Sequence, residues 1–313
     1  MQAVFRRGEG CGLEILRSEL EGDLRAAAVA VTGEPMMLER LHGVGGPGVI
    51  LIVGPRGRAV AKYPVRQEVA FYRNWAPLVR QQGLGVPEVY AHSENFPRAW
   101  ILMEALDATL TPPYRDRLPD MTAYLARLHA MQRDRVRSTA NDSLSVRPVS
   151  LSLQDIGDAA TLWTEEVRES LIQRLYLPWP KLPESMRLVS GDPNPTNWGL
   201  RASGQLVLFD WSEVALSHPA YDLAVLCGGL PEVALVEEVV DVYLKSADAP
   251  SPQSRAQWVA WVITARLVAF VWFAAWWSRG QLTAAARPGL TMLQDGLIDW
   301  IDTVRAATTG FLS

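Results

Sequence analysis

Cysteine is nearly absent from the chain: Cys11 and Cys227 are the only two in 313 residues. Two thiols so far apart build no disulfide framework and match no zinc-ligand spacing. A reducing, intracellular setting follows, and a cytoplasmic location is expected. A basic excess is missing as well, since 30 Lys and Arg face 34 Asp and Glu for a formal net charge of -4. That balance speaks against a general nucleic-acid binder, whose polyanionic partner demands a positive surface. The opening segment MQAVFRRGEGCG has no apolar h-region of a secretory signal. Composition shows no bias towards disorder, collagen or repeats. With 49% hydrophobic and 20% charged residues, the chain suits one large or two smaller soluble domains.

Long apolar runs are also scarce, with one exception at residues 259–277, VAWVITARLVAFVWFAAWW. Arg266 stands at its centre, where a cation costs roughly 2.5–3.5 kcal/mol on membrane-insertion scales. A buried helix of a large helical domain fits the run better, and no membrane partner is expected.

What is present falls into two regimes. Residues 13–31 carry Leu13, Ile15, Leu16, Leu20, Leu24, Ala27 and Ala28 at near-helical spacing, until Gly33-Glu34-Pro35 stops the helix. From Met36 the period shortens. MMLERLH, VILIV and RAVAKY read as strands separated by a Gly-rich segment and a Gly-Pro-Arg-Gly turn, an antiparallel meander. Residues 67–80 read as a helix, and GLGVPEVYAH and AWILMEAL as two further strands. Beyond residue 103 helical patterns dominate, at MTAYLARLHAMQ and residues 162–175, 220–227, 232–245, 257–277 and 292–306. Only RLVS, WGL and LVLFDW interrupt them with strand character. The expected fold is α+β, with a small antiparallel-sheet lobe at 1–105 and a larger, mainly helical lobe at 106–313.

Gly43, Gly45 and Gly48 make G-x-G-x-x-G. A dinucleotide-binding loop needs a helix straight after it, whereas VILIV follows here with no helical period. A glycine hairpin between antiparallel strands suits a loop that covers nucleotide phosphates. Lys62 alternates with Val60 on the next strand, flanked by small apolar residues. Most lysines only solvate a surface, but one placed after such a hairpin can reach the α- and β-phosphates. Six residues on, Glu68 opens a helix from which its carboxylate can pair with Lys62.

A second cluster lies in LVSGDPNPTNWG, residues 188–199. Gly, Pro, Asn and Asp are ordinary turn formers, so a surface turn is the plain reading. The continuation says more. Asp192 is followed five positions later by Asn197, then by two short strands joined at RASGQ and ending in Asp210. That hairpin brings Asp210 back beside Asn197. An amide and a carboxylate oxygen suit Mg2+, a hard cation that keeps waters and phosphates in its shell. Asp192 is left to accept the proton of an attacking hydroxyl. Trp258, Trp261, Trp272, Trp276 and Trp277 could offer faces to a cationic ligand. Their i,i+3 and i,i+4 spacing is equally that of a core stripe, which is the expected role.

Together the Gly-rich loop, Lys62, Glu68, SGDPNPTN, LFDW and HPAYDLA resemble the aminoglycoside phosphotransferase/choline kinase family, small-molecule kinases with a bilobal protein-kinase-like fold. The resemblance covers residues 36–226 and is densest at 190–224. It implies Asp192 as the catalytic aspartate, Asn197 and Asp210 as Mg2+ ligands, and Lys62 with Glu68 as the phosphate-binding ion pair. It also places Gly43, Gly45 and Gly48 over the phosphates, and the backbone of Glu104 to Leu106 against the adenine. Asp222 would brace the catalytic loop, and His129 would be a packed, hydrogen-bonded histidine. ATP or GTP as donor, Mg2+ as cofactor and a small hydroxyl-bearing acceptor of aminoglycoside, macrolide or amino-alcohol type follow. The chain departs from the family pattern at Ser190 and Asn194, where histidines are usual, and at Ser212, where Glu is frequent and Glu213 comes next. These departures bear on loop support and the acceptor side, because phosphoryl transfer rests on positioning and charge stabilisation. A non-catalytic nucleotide-binding relative is the competing reading. A protein kinase fits less well, since LFDW replaces D-F-G and no A-P-E segment follows.

Overall fold

The computed structural model describes residues 20, 22–41, 48–95, 99–131, 144–183, 186–247, 253–280 and 287–311. The chain divides into two compact units, Met1–Pro113 with Thr196–Ser212, and Tyr114–Pro195 with Glu213–Ser313.

The first unit is built on a five-stranded antiparallel sheet in the order β1-β2-β3-β5-β4. The strands are β1 (Met37–Leu41), β2 (Val49–Gly54), β3 (Gly57–Lys62), β4 (Val89–Ser93) and β5 (Trp100–Glu104). Side chains alternate between the faces of a strand, and here Ile50, Ile52, Ala59 and Ala61 are fully buried while their neighbours are not. Helix α1 (Gly22–Thr32) lays Leu24 and Ala28 on that face beside Leu38 and Leu102. The expected opening helix therefore exists over its second half, and residues 1–19 lie outside the described residues. Gly54 is required where β2 meets α1, because a Cβ there would stand 2.3 Å from the carbonyl oxygen of Thr32. Gly54 pairs with Gly57 across Pro55-Arg56, the tight turn read from the sequence.

Residues 67–80, expected as one helix, form two: α2 (Arg66–Asn74) and α3 (Ala76–Gln81). Pro77 stands in the first turn of α3, where its missing N–H costs nothing, whereas a continuous helix would have needed that donor. Trp75, 1% exposed, fills the joint. A short strand β6 (Ala108–Thr109) pairs with Trp198–Leu200, which pairs in turn with Leu206–Leu208. That ladder is why the first unit runs past residue 105 and takes in the hairpin 196–212.

The second unit is helical: α4 (Leu118–His129), α5 (Leu153–Ala160), α6 (Glu165–Tyr176), α7 (Ala220–Cys227), α8 (Val233–Ser246), α9 (Arg255–Ser278) and α10 (Arg287–Thr308). One antiparallel pair, Arg187–Val189 with Ala215–Ser217, accompanies them. The helix expected at 162–175 starts later, at Glu165, with Thr164 as an extended N-cap and Glu165 and Glu166 in the first turn. Helix α9 opens on a capping box, Ser254 accepting from the Gln257 N–H while Gln257 accepts from the Ser254 N–H. It is the one described helix long and apolar enough to cross a membrane, and 83% of that apolar window is buried inside the protein. Trp258 and Trp261 pack edge-on to each other with ring centroids 5.5 Å apart and flank His218 at 5.5 and 5.1 Å. These two tryptophans are core.

His218 is 6% exposed, and its Nδ1 accepts a hydrogen bond from the Ala220 N–H at 3.1 Å. Burial, with a smaller push from nearby His129, brings its pKa from 6.5 down to about 3. The unfolded chain then takes up this proton before the folded one does. Stability from the neutral imidazole is complete above 6.5 and is lost as pH falls towards 3. Denaturant titrations at pH 7 and pH 5 should lose about 2 kcal/mol more in the wild type than in His218→Asn. Equal losses in the two proteins would show that His218 does not carry this linkage.

Candidate active site

In the first unit, Lys62 ends β3 and its ammonium bridges two carboxylates. Nζ donates to Oε1 of Glu68 at 2.9 Å and to Oδ1 of Asp210 at 2.6 Å. Glu68 is fully buried on α2, Lys62 is 16% exposed, and Asp210 is 37% exposed. Burial alone would lower the Lys62 pKa, but Glu68 and Asp210 outweigh it and raise it. Burial would likewise raise Asp210, yet Lys62 prevails and holds this carboxyl below its usual range. At Glu68 burial wins and the pKa goes up, with Lys62 offsetting only part. The net arrangement is one fixed ammonium and one ionised, part-exposed carboxylate.

Local sequence explains how these groups meet. Glu68 and Phe71 sit three apart on α2 and so share a helix face. Phe71 stacks on Trp211 with ring centroids 3.9 Å apart, and Trp211 Nε1 donates to the Leu208 carbonyl at 3.0 Å. The residue after Asp210 is thereby anchored on the helix that carries Glu68. Asp210 itself has φ +60, the only positive φ outside glycine among the described residues. A non-glycine residue in that region costs free energy and persists where surrounding packing fixes it. The hairpin brings Phe209, the residue before Asp210, back to Asn197, whose carbonyl accepts the Phe209 N–H at 3.0 Å.

This donor set fits a hard divalent cation. The Lys62 ammonium on Oδ1 keeps the Asp210 carboxyl ionised, and a carboxylate has further lone pairs with which to bind a cation. Among the described residues no group of three His, Cys, Asp or Glu could hold a metal alone. Mg2+ asks for less, one or two protein oxygens completed by water and phosphate, which Asp210 and Asn197 can supply.

At the end of β5, the Glu104 carboxylate takes a bidentate ion pair from Arg201, with both contacts at 2.7 Å, and accepts the Glu88 N–H at 3.1 Å. The pair ties β5 to the 198–208 hairpin and holds the Glu104 pKa low against the opposing effect of burial. Next to it, Leu106 leans over Gly199, where a Cβ would come within 2.5 Å of it. Among the described residues, neither the N–H nor the C=O of Leu106 has a hydrogen-bond partner. Of the loop glycines, Gly48 has φ +40, whereas Gly43 and Gly45 lie outside the described residues.

In the second unit, the fully buried carboxylate of Asp222 on α7 accepts from the backbone N–H of Ser190 at 2.8 Å and of Gly191 at 2.9 Å. His129 of α4 lies 3.1 Å from the same carboxylate through Nε2, and its Nδ1 is 3.2 Å from the Tyr243 hydroxyl. Asp222 thus fixes the two residues that precede Asp192. Gly191 has φ +81, and a Cβ there would stand 1.9 Å from the Glu213 carbonyl oxygen. No other residue fits. The Ser190 hydroxyl is buried and has no hydrogen-bond partner among the described residues. Downstream, Glu213 forms an ion pair with Arg147, whose guanidinium lies 5.3 Å from the Tyr221 ring centroid and 5.8 Å from that of Trp272.

Residues 41–258 match the sequence model of the phosphotransferase enzyme family. The chain belongs to that family. None of the curated proteins matches the phosphotransferase by sequence. Solved structures match its fold at low identity. The choline kinase of Streptococcus pneumoniae has a TM-score of 0.57 and 15% identity over 94% of this chain and 100% of its own. Macrolide 2'-phosphotransferase of Brachybacterium faecium has 0.56 and 17%, over 86% and 97%. A spectinomycin phosphotransferase, solved with ADP and spectinomycin, has 0.57 and 10%, over 90% and 96%. This phosphotransferase is therefore a small-molecule kinase by family, with a protein-kinase-like fold.

Several residues around the site of the phosphotransferase escaped sequence reasoning. Arg201, Arg147 and Tyr221 carry no pattern of their own, and their partners lie 97, 66 and 74 positions away.

Proposed function

We propose that the protein is a Mg2+-dependent kinase that moves the γ-phosphoryl group of ATP or GTP to a hydroxyl of a small molecule. The observation that carries this reading is the ammonium of Lys62 held between buried Glu68 and ionised Asp210. An ammonium fixed in this way can pair with nucleotide phosphates without wandering to solvent. Asp210 and Asn197 would hold Mg2+, which neutralises phosphate charge when bound. The unpaired backbone of Leu106 offers one donor and one acceptor to the edge of a purine. Asp192, its preceding backbone fixed by Asp222, would orient the acceptor hydroxyl and take its proton. Gly43, Gly45 and Gly48 would cover the phosphates. A cytoplasmic location fits both the cysteine-poor composition and the nucleotide donor.

The reading is tested by ADP release over a panel of aminoglycosides, macrolides, choline, ethanolamine and sugars, with the phosphorylated product identified by mass. Acceptor-dependent ADP release supports it. Nucleotide binding without transfer to any hydroxyl compound would replace it with a binding module. Within the same assay, Lys62→Met should lower kcat/KM for the nucleotide by about 10²-fold, the scale of removing one preorganised electrostatic donor. An unchanged kcat/KM would take Lys62 out of the site.

A further inference from the structure

The carboxylate of Glu104, at the end of β5, is held from several sides. Nε and Nη2 of Arg201 reach its two oxygens at 2.7 Å each, a planar two-pronged contact, and the Glu88 N–H donates to it at 3.1 Å. The Glu104 N–H is used as well, on the Glu88 carbonyl at 2.8 Å. Arg201 is steadied in turn by Nη2 on the Val86 carbonyl at 3.1 Å and by Nη1 on Oε1 of Gln205.

Three residues further on, the chain is fixed again. The Asp107 N–H donates to the Leu200 carbonyl at 3.1 Å, and Oδ2 of Asp107 accepts the Ala202 N–H at 2.7 Å. Ala105 and Leu106 therefore bridge two anchors, both made at the turn end of the hairpin 198–208. They are half-buried, and among the described residues no backbone N–H or C=O of either makes a hydrogen bond. Backbone groups left unpaired between rigid anchors are free to pair with a ligand. The open end of the same hairpin carries Asn197 and Asp210, joined by the Phe209 N–H on the Asn197 carbonyl. A three-residue strand, Trp198–Leu200, roughly 10 Å long, separates the two ends. One short ladder thus links the residues assigned to metal and phosphates with the segment assigned to the purine, all inside the first unit.

We propose that Arg201 is a positioning residue for the purine of the nucleotide. Through Glu104 it sets the path of Ala105 and Leu106 relative to Asn197 and Asp210, and so confers a preference for purine over pyrimidine nucleotides. The inference rests on the kinase reading above and concerns its nucleotide side. A pyrimidine places its hydrogen-bonding edge nearer the ribose than a purine does. A fixed span between base segment and phosphate end therefore cannot serve both, whereas a loose one can.

The test is the affinity of ADP, GDP, CDP and UDP in Mg2+, by calorimetry, with competition against ADP for the weak binders. The wild type should bind the better purine diphosphate at least about tenfold more tightly than either pyrimidine, the scale of one added hydrogen bond at the base. Arg201→Met should weaken the purine about tenfold and the pyrimidines less than twofold, so that the preference collapses. Glu104→Gln should lose part of the same preference. The double variant should be no worse than Arg201→Met, because the two side chains act as one pair. A clamp that only joins β5 to the hairpin would lower Tm and leave the purine-to-pyrimidine ratio unmoved. That result overturns the inference, as do additive losses in the double variant or a wild type without purine preference. Should Arg201→Met fail to fold, Arg201→Lys decides by the same ratio, since it keeps the charge but not the two-pronged contact. If transfer to a hydroxyl compound proceeds while the ratio is unmoved, the kinase reading stands without this role. If none of the four nucleotides binds, the kinase reading fails and the positioning role falls with it.

Discussion

Replacing Asp192 by Asn is expected to slow phosphoryl transfer about 10²- to 10⁴-fold, the span attributed to a positioned general base. Nucleotide affinity should change little, because the groups assigned to the nucleotide, Lys62, Glu68 and Asp210, form their own hydrogen-bonded set. The measurement is kcat by ADP release beside nucleotide affinity by calorimetry on the same preparation. A variant that retains more than a tenth of wild-type kcat would remove Asp192 from the proton-accepting role. Equal losses of affinity and turnover would point instead to a damaged fold. Asn keeps the size of the side chain and one oxygen but can no longer take a proton, so geometry and chemistry are separated.

Asp222→Ala should be the most destabilising single change near the site. It would leave the N–H groups of Ser190 and Gly191 and one ring nitrogen of His129 buried without a partner. Each orphaned buried group costs about 1–3 kcal/mol, and breaking a buried paired network typically costs about 3–5 kcal/mol in all. In a unit of this size that corresponds to a fall in Tm of roughly 10 °C. Activity should fall further than stability alone requires, since the backbone next to Asp192 loses its brace. Ser190→Ala is the internal control. The Ser190 hydroxyl has no hydrogen-bond partner among the described residues, so its removal should stay within about 0.5 kcal/mol. Similar melting temperatures for the two variants would contradict the brace.

The strands and the pairing partners were legible because apolar alternation and turn chemistry act over short distances. VILIV, GPRG and RAVAKY specify the β2–β3 hairpin, and RASGQ specifies the hairpin that returns Asp210 towards Asn197. Helix breaks were harder. Pro77 interrupts residues 67–80 and Thr164 with two glutamates restarts the chain at α6, but helical periodicity on both sides masked each joint. The Lys62–Glu68 contact was readable from a strand end and a helix start six residues apart. The clamp of Glu104 by Arg201 was not, since it depends on where the hairpin lands beside β5. At Asp222, the motif suggested a brace, while its donors, Ser190 and Gly191, became visible only in three dimensions.

The central claim is Mg2+-dependent transfer of a phosphoryl group from nucleotide to hydroxyl. It is tested most directly by following γ-labelled ATP through the acceptor panel in Mg2+ and in EDTA. The account predicts label on an acceptor hydroxyl in Mg2+, none in EDTA, and nearly none with Asp192→Asn. Label that appears only as inorganic phosphate, at a rate indifferent to acceptor, or that reaches the acceptor equally in EDTA, would contradict it.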